Sequence, residues 1–443
     1  MDKNPTLKKR VIKNASWIIA AKVIQAIIGL VISMLTARFL GPANFGIINY
    51  AASIMAFAVP IMGLGFSNVL VQEFTNNPED EGKIIGTAVA LCFISSLFCI
   101  AGIALYTFIV DFNERTTNFV VLLYSLSLIA QAVELIQYWF QAKLLSKYIS
   151  IASLVVYLIV ASYRVVLLIL KAPVILFAIS SALDYLLIAI LLFVTYKKKS
   201  DKKISFSKEI GKRLFHKSKH YIFSSLMVVI FSQTDKVMIK LMINEEAVGY
   251  YSAAVSCAGL TSFVFAAIID SFRPVIFQHK KENNVLGYEL NLKRLYCIVI
   301  YLAFAQSLVM TFFSKLIIYI LYGEQYHNSI LALQIVVWYT TFAYVGSIRN
   351  VWVLGENKQK YLWIINLTAA LMNVLLNFFF IQLWGIYGAA IASLITQIFA
   401  NVAMNIIVWP FHHSLFLMLK GLNPKLIIDL FRKDTSLNDS RRN

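Results

Sequence analysis

The chain has 443 residues, 59% of them hydrophobic, a mean hydropathy of +0.73 and a formal net charge of +18. Soluble domains carry roughly 45–50% apolar residues, so a soluble fold is excluded. A helix needs ~20 apolar residues to cross a hydrocarbon core of ~30 Å, and this length accommodates about twelve such helices in one membrane domain.

The N-terminal stretch MDKNPTLKKRVIKN is basic and precedes an apolar run without a small-residue cleavage site. That run is longer than a signal-peptide core, so it is expected to persist as the first helix. Apolar runs then predict spans at 15–37, 46–71, 84–110, 119–142, 149–170 and 173–196. A second set follows at 219–243, 247–269, 295–320, 328–354, 361–383 and 385–409. The expected organisation is an N-terminal six-helix half (1–196), a basic cytoplasmic linker (197–218), a C-terminal six-helix half (219–410) and a cytoplasmic tail (411–443).

With the N-terminus in the cytoplasm, inside loops and tails hold about 31 of the 40 Lys and Arg, against about three outside: Arg38, Arg115 and Lys171. This asymmetry follows the positive-inside rule and places both termini in the cytoplasm. The net charge therefore serves topology and anionic headgroups better than it serves nucleic acid, which would call for a basic soluble surface. The segment from Lys197 to Lys219 is the densest basic run and reads as a solvated linker or as a lipid or partner site. Cys92, Cys99, Cys257 and Cys297 fall in apolar runs without metal spacing and read as core thiols.

The two halves resemble each other. WFQAKLLSKYISIASL from Trp139 aligns with WVLGENKQKYLWIINL from Trp352, and FGIINYAAS from Phe45 with VGYYSAAVS from Val248. An even number of helices per repeat starts both halves on the same side, which gives parallel repeats about an axis along the membrane normal.

Ionisable side chains within spans cost at least roughly 2.5–3.5 kcal/mol on insertion scales, so they face protein or water and often mark a transport path. Lys22, Gln25, Gly29, Ser33 and Thr36 share one face of the first helix, where Lys22 either joins a polar path or snorkels to the headgroups. Ser127, Gln131, Glu134, Tyr138 and Gln141 form a stripe on the fourth helix, and Arg164 and Asp184 lie in the fifth and sixth. In the seventh, Asp235 and Lys236 are adjacent, and Asp235 is either a structural ion pair or a coupling-ion carboxylate; Lys240 is placed to snorkel outward. Arg349 lies near the inner end of the tenth helix, and Asn366, Asn373, Asn377, Ser393, Gln397 and Asn401 line the last two. Such amides either glue helices together or line a wet cavity that takes sugar hydroxyls. Cations outnumber anions within the spans, and Arg presents a fork suited to phosphate, so the cargo is expected to be anionic. No catalytic constellation, nucleotide-cradling loop or metal motif is present, and the chain reads as a non-enzyme without a cofactor.

ARFLGPANFG at Ala37–Gly46, IMGLGFSNVLVQE at Ile61–Glu73 and SQTDKVMI at Ser232–Ile239 together resemble the Wzx-type oligosaccharide flippases. These belong to the multidrug/oligosaccharidyl-lipid/polysaccharide (MOP) exporter superfamily. The resemblance implies an all-α polytopic bundle of about twelve transmembrane helices in two parallel repeats, MATE-like and V-shaped around a central cavity. It further implies translocation of undecaprenyl-diphosphate-linked oligosaccharide from the cytoplasmic to the outer leaflet of a bacterial inner membrane. The cargo would be an O-antigen, capsule or exopolysaccharide unit, since lipid II flippases typically carry two more helices. Alternating access would be driven by an H+ or Na+ gradient, with a polysaccharide polymerase and a chain-length regulator as partners. On this reading Lys22, Arg164, Lys236 and Arg349 attract the diphosphate, Gln25, Gln131, Tyr138 and Asn373 line the cavity, and Asp235 or Glu134 couples the ion. The competing reading is a MATE-like multidrug antiporter, whose cavity would favour carboxylates that hold cationic drugs. A membrane-embedded polymerase or glycosyltransferase is disfavoured by the repeat and by the lack of a large outer loop.

Overall fold

The computed structural model describes residues 5–426, with side chains from Ile24 onward, so Lys22 lies outside the residues whose side chains are described. The first helical stretch, Pro5–Met62, counts 58 residues, far more than one crossing of a ~30 Å core requires at ~1.5 Å per residue. It breaks at Gly41 (φ 73°, ψ 170°), a conformation that a residue without Cβ adopts freely, just before Pro42. The stretch is therefore two helices, α1 (5–40) and α2 (42–62). After them come the short α3 (Leu70–Asn76), then α4 (Glu81–Val110), α5 (Arg115–Glu134) and the short α6 (Gln137–Ala142). Helices α7 (Ser146–Ile169), α8 (Val174–Lys199) and α9 (Lys208–Met242) follow.

Beyond them lie α10 (Glu245–Ala258), α11 (Ser262–Lys281), α12 (Val285–Phe312), the short α13 (Ser314–Leu321) and α14 (Ser329–Gly355). Leu362–Ile398 again breaks at a glycine, Gly385 (φ 58°, ψ −134°), into α15 (362–384) and α16 (386–398). Asn373 Nδ2 lies 3.4 Å from Ser393 Oγ, so the two pieces fold back on each other. A π-helical segment (Phe399–Ala403), α17 (Met404–Ile407) and α18 (His412–Gly421) complete the described chain.

Among the described residues nine helical stretches are long and apolar enough to cross a membrane, and the bent pair α10–α11 makes ten. Dividing two of them at Gly41 and Gly385 makes twelve, as hydropathy predicts. Hydropathy misplaces some ends: α9 begins at Lys208 rather than 219, and α12 at Val285 rather than 295. Both extra stretches are polar turns of helix, supported in α12 by the Lys293–Glu289 pair at 2.8 Å. A window that senses only hydrocarbon depth does not register helix that continues past it.

The chain forms two compact units, one running up to Lys240 and including Asn244–Gly249, the other made of Leu241–Ile243 and the residues from Tyr250 on. The first unit takes in nearly all of α9, which hydropathy groups with the later helices. Its attachments are Lys217 to Glu73, Ser53 to Gln233 at 3.1 Å, and Lys240 to Asp111. Within this unit α1 packs on α7, and α5 lies against α4 and α8. Ala37, Ala51, Ala88, Ala132 and Ala178 are buried on the helices of this unit, and small residues let helices approach in the absence of a hydrophobic drive. Many other large apolar side chains point outward, Phe98 at 75% and Ile169 at 74% exposure, which suits a lipid solvent. In the second unit α14 packs between α12 and α15, and the rings of Phe265 and Tyr344 stack at 3.9 Å.

The sequence repeat is visible as matching backbone geometry. Between Trp139 and Tyr148 the chain passes through Leu144 at φ 56°, with bonds from Lys143 N to Trp139 O (3.0 Å) and Leu145 N to Phe140 O (2.8 Å). Between Trp352 and Tyr361 it passes through Asn357 at φ 54°, with bonds from Glu356 N to Trp352 O (2.9 Å) and Lys358 N to Val353 O (2.9 Å). Aligned residues thus make the same left-handed turn, and both tryptophans are buried.

Candidate functional site

The polar stripe of α5 reaches a place where the helix gives way. Between Glu134 and Gln137 the backbone tightens into shorter turns, Ile136 N bonding Val133 O at 3.2 Å and Tyr138 N bonding Leu135 O at 3.1 Å. This turns Glu134, Gln137 and Tyr138 toward the end of α2, where Pro60 is followed by Gly63, Leu64 (φ 49°) and Gly65 (φ 67°). Between them lies a cavity of about 230 Å³ whose polar wall is Ser67, Gln131, Glu134, Gln137, Tyr138 and Ser225. Irregular backbone at membrane depth persists where it lines a cavity or is buried in protein, which is what the α2 end does here.

Glu134 accepts from Gln137 Nε2 at 3.4 Å, and Gln131 Nε2 donates to Ser127 Oγ at 3.4 Å. Behind Glu134 stands a second carboxylate, Asp184, close enough for the two charges to oppose each other, and Arg164 is the cation that offsets Asp184. Arg164 is itself oriented by a 2.8 Å bond from Nε to Ser180 Oγ. The buried Oδ1 of Asp184 has no hydrogen-bond partner among the described residues. Two carboxylates against one arginine, with amides, hydroxyls and a phenol around them, can hold a proton or a small cation and can hydrogen-bond hydroxyl-rich cargo.

The structure thus brings three of the predicted site residues into one cavity, Gln131, Glu134 and Tyr138, with Arg164 behind them. Of the others whose side chains are described, none lines this cavity. Gln25 shares a face of α1 with Gly29, which packs against the Tyr157 hydroxyl of α7. Asp235 is buried and the adjacent Lys236 half-buried on α9. Asn373 is fully buried in the hairpin of α15 and α16, bonded to Ser393 and, at 3.0 Å, to Asn377. Arg349, in the second unit, is 4% exposed and donates from Nη1 to Ala400 O at 2.6 Å, a carbonyl in the π-helical segment.

Lys240 does not snorkel. It is buried and ion-paired to Asp111, to Glu114 at 2.8 Å and to Glu245 at 4.0 Å, under the ring of Tyr50. Thr117 donates to the same Glu245 at 3.0 Å. Glu245 also raises Glu114 above the ordinary carboxylate range by hydrogen bonding to it. Single-sequence reading has no means of pairing Lys240 with acids some 130 positions away. The buried acids Glu73 and Glu81 escape it similarly: Glu73 takes Lys217 and Arg213, and Glu81 takes Lys143 and, at 2.7 Å, the Trp139 indole. A groove of about 510 Å³ between α2, α4 and α9 is almost wholly apolar, with Phe57, Phe98 and Val237 on its walls. No cluster of three or more His, Cys, Asp or Glu with metal-binding geometry occurs among the described residues, and none of the four cysteines forms a disulfide there.

Comparison with known proteins identifies the fold and the family of the chain. A curated relative in Escherichia coli (strain K12), named as a candidate O-antigen transporter, is 21% identical over 81% of this chain and 87% of its own length. Among solved structures, the lipid II flippase MurJ in an inward closed conformation superposes with a TM-score of 0.67 at 14% identity, covering 93% of this chain and 92% of MurJ. A multidrug resistance MATE family transporter of the MOP superfamily, inward-facing, gives 0.66 at 15% identity over 89% and 96%. The fold is therefore that of the exporter superfamily which the sequence resembles. The model of the polysaccharide biosynthesis protein family matches residues 11–280, more than half of the chain, and the chain belongs to that family.

Proposed function

We propose that this multi-pass membrane protein is a flippase that carries undecaprenyl-diphosphate-linked oligosaccharide repeat units from the cytoplasmic to the outer leaflet of a bacterial inner membrane. The observation that carries the reading is the polar cavity at Glu134, set inside an apolar bundle whose family is one of polysaccharide biosynthesis. Amides, hydroxyls and a phenol suit sugar hydroxyls, which a drug-sized apolar cation would leave unsatisfied. The relative named for O-antigen transport supports a cargo of that class. Transport proceeds by alternating access and draws on an H+ or Na+ gradient through Glu134 or Asp235. Lys22, Arg164, Lys236 and Arg349 supply positive charge to the diphosphate. A polysaccharide polymerase and a chain-length regulator receive the product, and both termini face the cytoplasm.

The second reading, a multidrug antiporter, has one observation in its favour: the Glu134–Asp184 pair offers more negative than positive charge at the cavity. Replacing Lys22 and Lys236 by Ala in a polysaccharide-producing host decides between them. The flippase reading expects loss of surface polymer with the protein still in the membrane. Wild-type polymer, together with drug resistance on overexpression, would replace it with the antiporter.

A further inference from the structure

A second groove of the first unit, of about 350 Å³, lies away from the Glu134 cavity and is lined by apolar side chains of α4, α5 and α8, among them Val89, Phe93, Val133 and Phe193. One of its walls is Ile204, which belongs to no helix. Residues 200–207 run as an extended strap along α4. Ser205 N bonds Gly82 O at 3.3 Å and Ser207 N bonds Thr87 Oγ1 at 2.9 Å. A Cβ on Gly82 or Gly86 would collide with the carbonyls of Lys203 and Ser205, so the strap lies directly on the helix backbone. The basic run is thus an ordered wall of the groove and not a free linker.

Its lysines stand at the groove's end. Lys197 Nζ is 5.1 Å from the centre of the Phe193 ring that lines the groove, and Lys202 and Lys203 immediately precede Ile204. All three side chains are exposed, and none has an ion pair among the described residues. Nearby cations that serve the fold do have partners, as Lys83 has Asp80 and Lys143 has Glu81.

A hydrocarbon-lined groove ending in unpaired ammonium groups matches a molecule with a long apolar chain and an anionic head. We propose that this groove is a binding site for one anionic phospholipid, its acyl chain against Val89, Phe93 and Phe193 and its phosphate on Lys197, Lys202 and Lys203. The volume lies within the roughly 300–1,000 Å³ of small-molecule sites and takes a length of chain, not a whole lipid. Apolar contact alone would accept any membrane lipid, and the lysines supply the selection for charge. The inference is independent of the cargo.

Native mass spectrometry of the purified full chain in mixed micelles, with phosphatidylglycerol competing against phosphatidylethanolamine, tests it. Phosphatidylglycerol is expected to be retained at one per chain with a preference of about tenfold or more. The K197Q/K202Q/K203Q variant, which alters only exposed side chains, is expected to bring the two lipids near parity. Val89→Trp is expected to reduce retention of both. Parity in the wild type, or a preference that survives the triple variant, overturns the proposal. Displacement of phosphatidylglycerol by equimolar undecaprenyl phosphate also overturns it and assigns the groove to the lipid of the cargo.

Discussion

Gly46 at the start of α2 and Gly249 at the start of α10 lie against each other, and neither has room for a side chain. A Cβ on Gly249 would run into the Pro42 carbonyl, and one on Gly46 into the Glu245 carbonyl and within 2.9 Å of Gly249 N. The two residues occupy the same place in the sequence repeat, FGIINYAAS and VGYYSAAVS. Repeat-equivalent helix starts thus meet at repeat-equivalent glycines, where backbone packs on backbone.

Adding one methyl group there has to push backbone apart. Gly46→Ala and Gly249→Ala are each expected to lower stability by about 1–3 kcal/mol, the usual range for overpacking. Thermal unfolding of the purified protein in detergent reads this directly, and a midpoint equal to wild type would show that the helix starts do not meet as described.

The Lys240 cluster gives a sharper expectation. Lys240→Met leaves Asp111 buried without its cation, which typically costs about 3–5 kcal/mol. Adding Asp111→Asn should restore much of the loss, because the uncompensated charge is gone. If the double variant is as unstable as the single one, the ion pair is not the source of the effect.

Glu114 in the same cluster carries a pH signature. Because Glu245 raises its folded-state value above the ordinary Glu range, the folded protein favours the protonated form. The stability from this group is complete below the unfolded value of ~4.3 and is lost as pH rises through the raised folded value. Glu114→Gln should flatten that part of the stability–pH curve without moving its basic limb, and a curve superposable on wild type would count against the Glu114–Glu245 contact.

At the cavity, Glu134→Gln is expected to reduce translocation and its dependence on the ion gradient together, while Asp184→Asn weakens only the gradient dependence. Uptake of lipid-linked glycan into proteoliposomes with and without an imposed gradient separates these effects. Full gradient dependence in Glu134→Gln would remove Glu134 from coupling and leave Asp235, whose replacement by Asn is then the next to measure.

Much of this protein is decided along the chain itself. The apolar runs set the membrane-crossing helices because each must span ~30 Å with its backbone bonds satisfied internally, and that requirement is local. The repeat is equally local: Leu144 and Asn357 make the same turn because the same sequence pattern flanks them. The α5 stripe could be read because residues spaced by three and four share a face, and Gln131, Glu134 and Tyr138 do meet in one cavity. Partners could not be read in this way. Whether Lys240 reaches outward or binds Asp111, whether Asn373 faces a cavity or Ser393, and whether Arg349 turns to the Ala400 carbonyl depend on a neighbouring helix. The same holds for the basic run after Lys197, whose composition predicts solvent but whose course along α4 is decided by Gly82 and Gly86. Hydropathy is a property of one segment against lipid, whereas ion pairing and close packing are properties of two segments against each other, and only the tertiary structure brings the second segment.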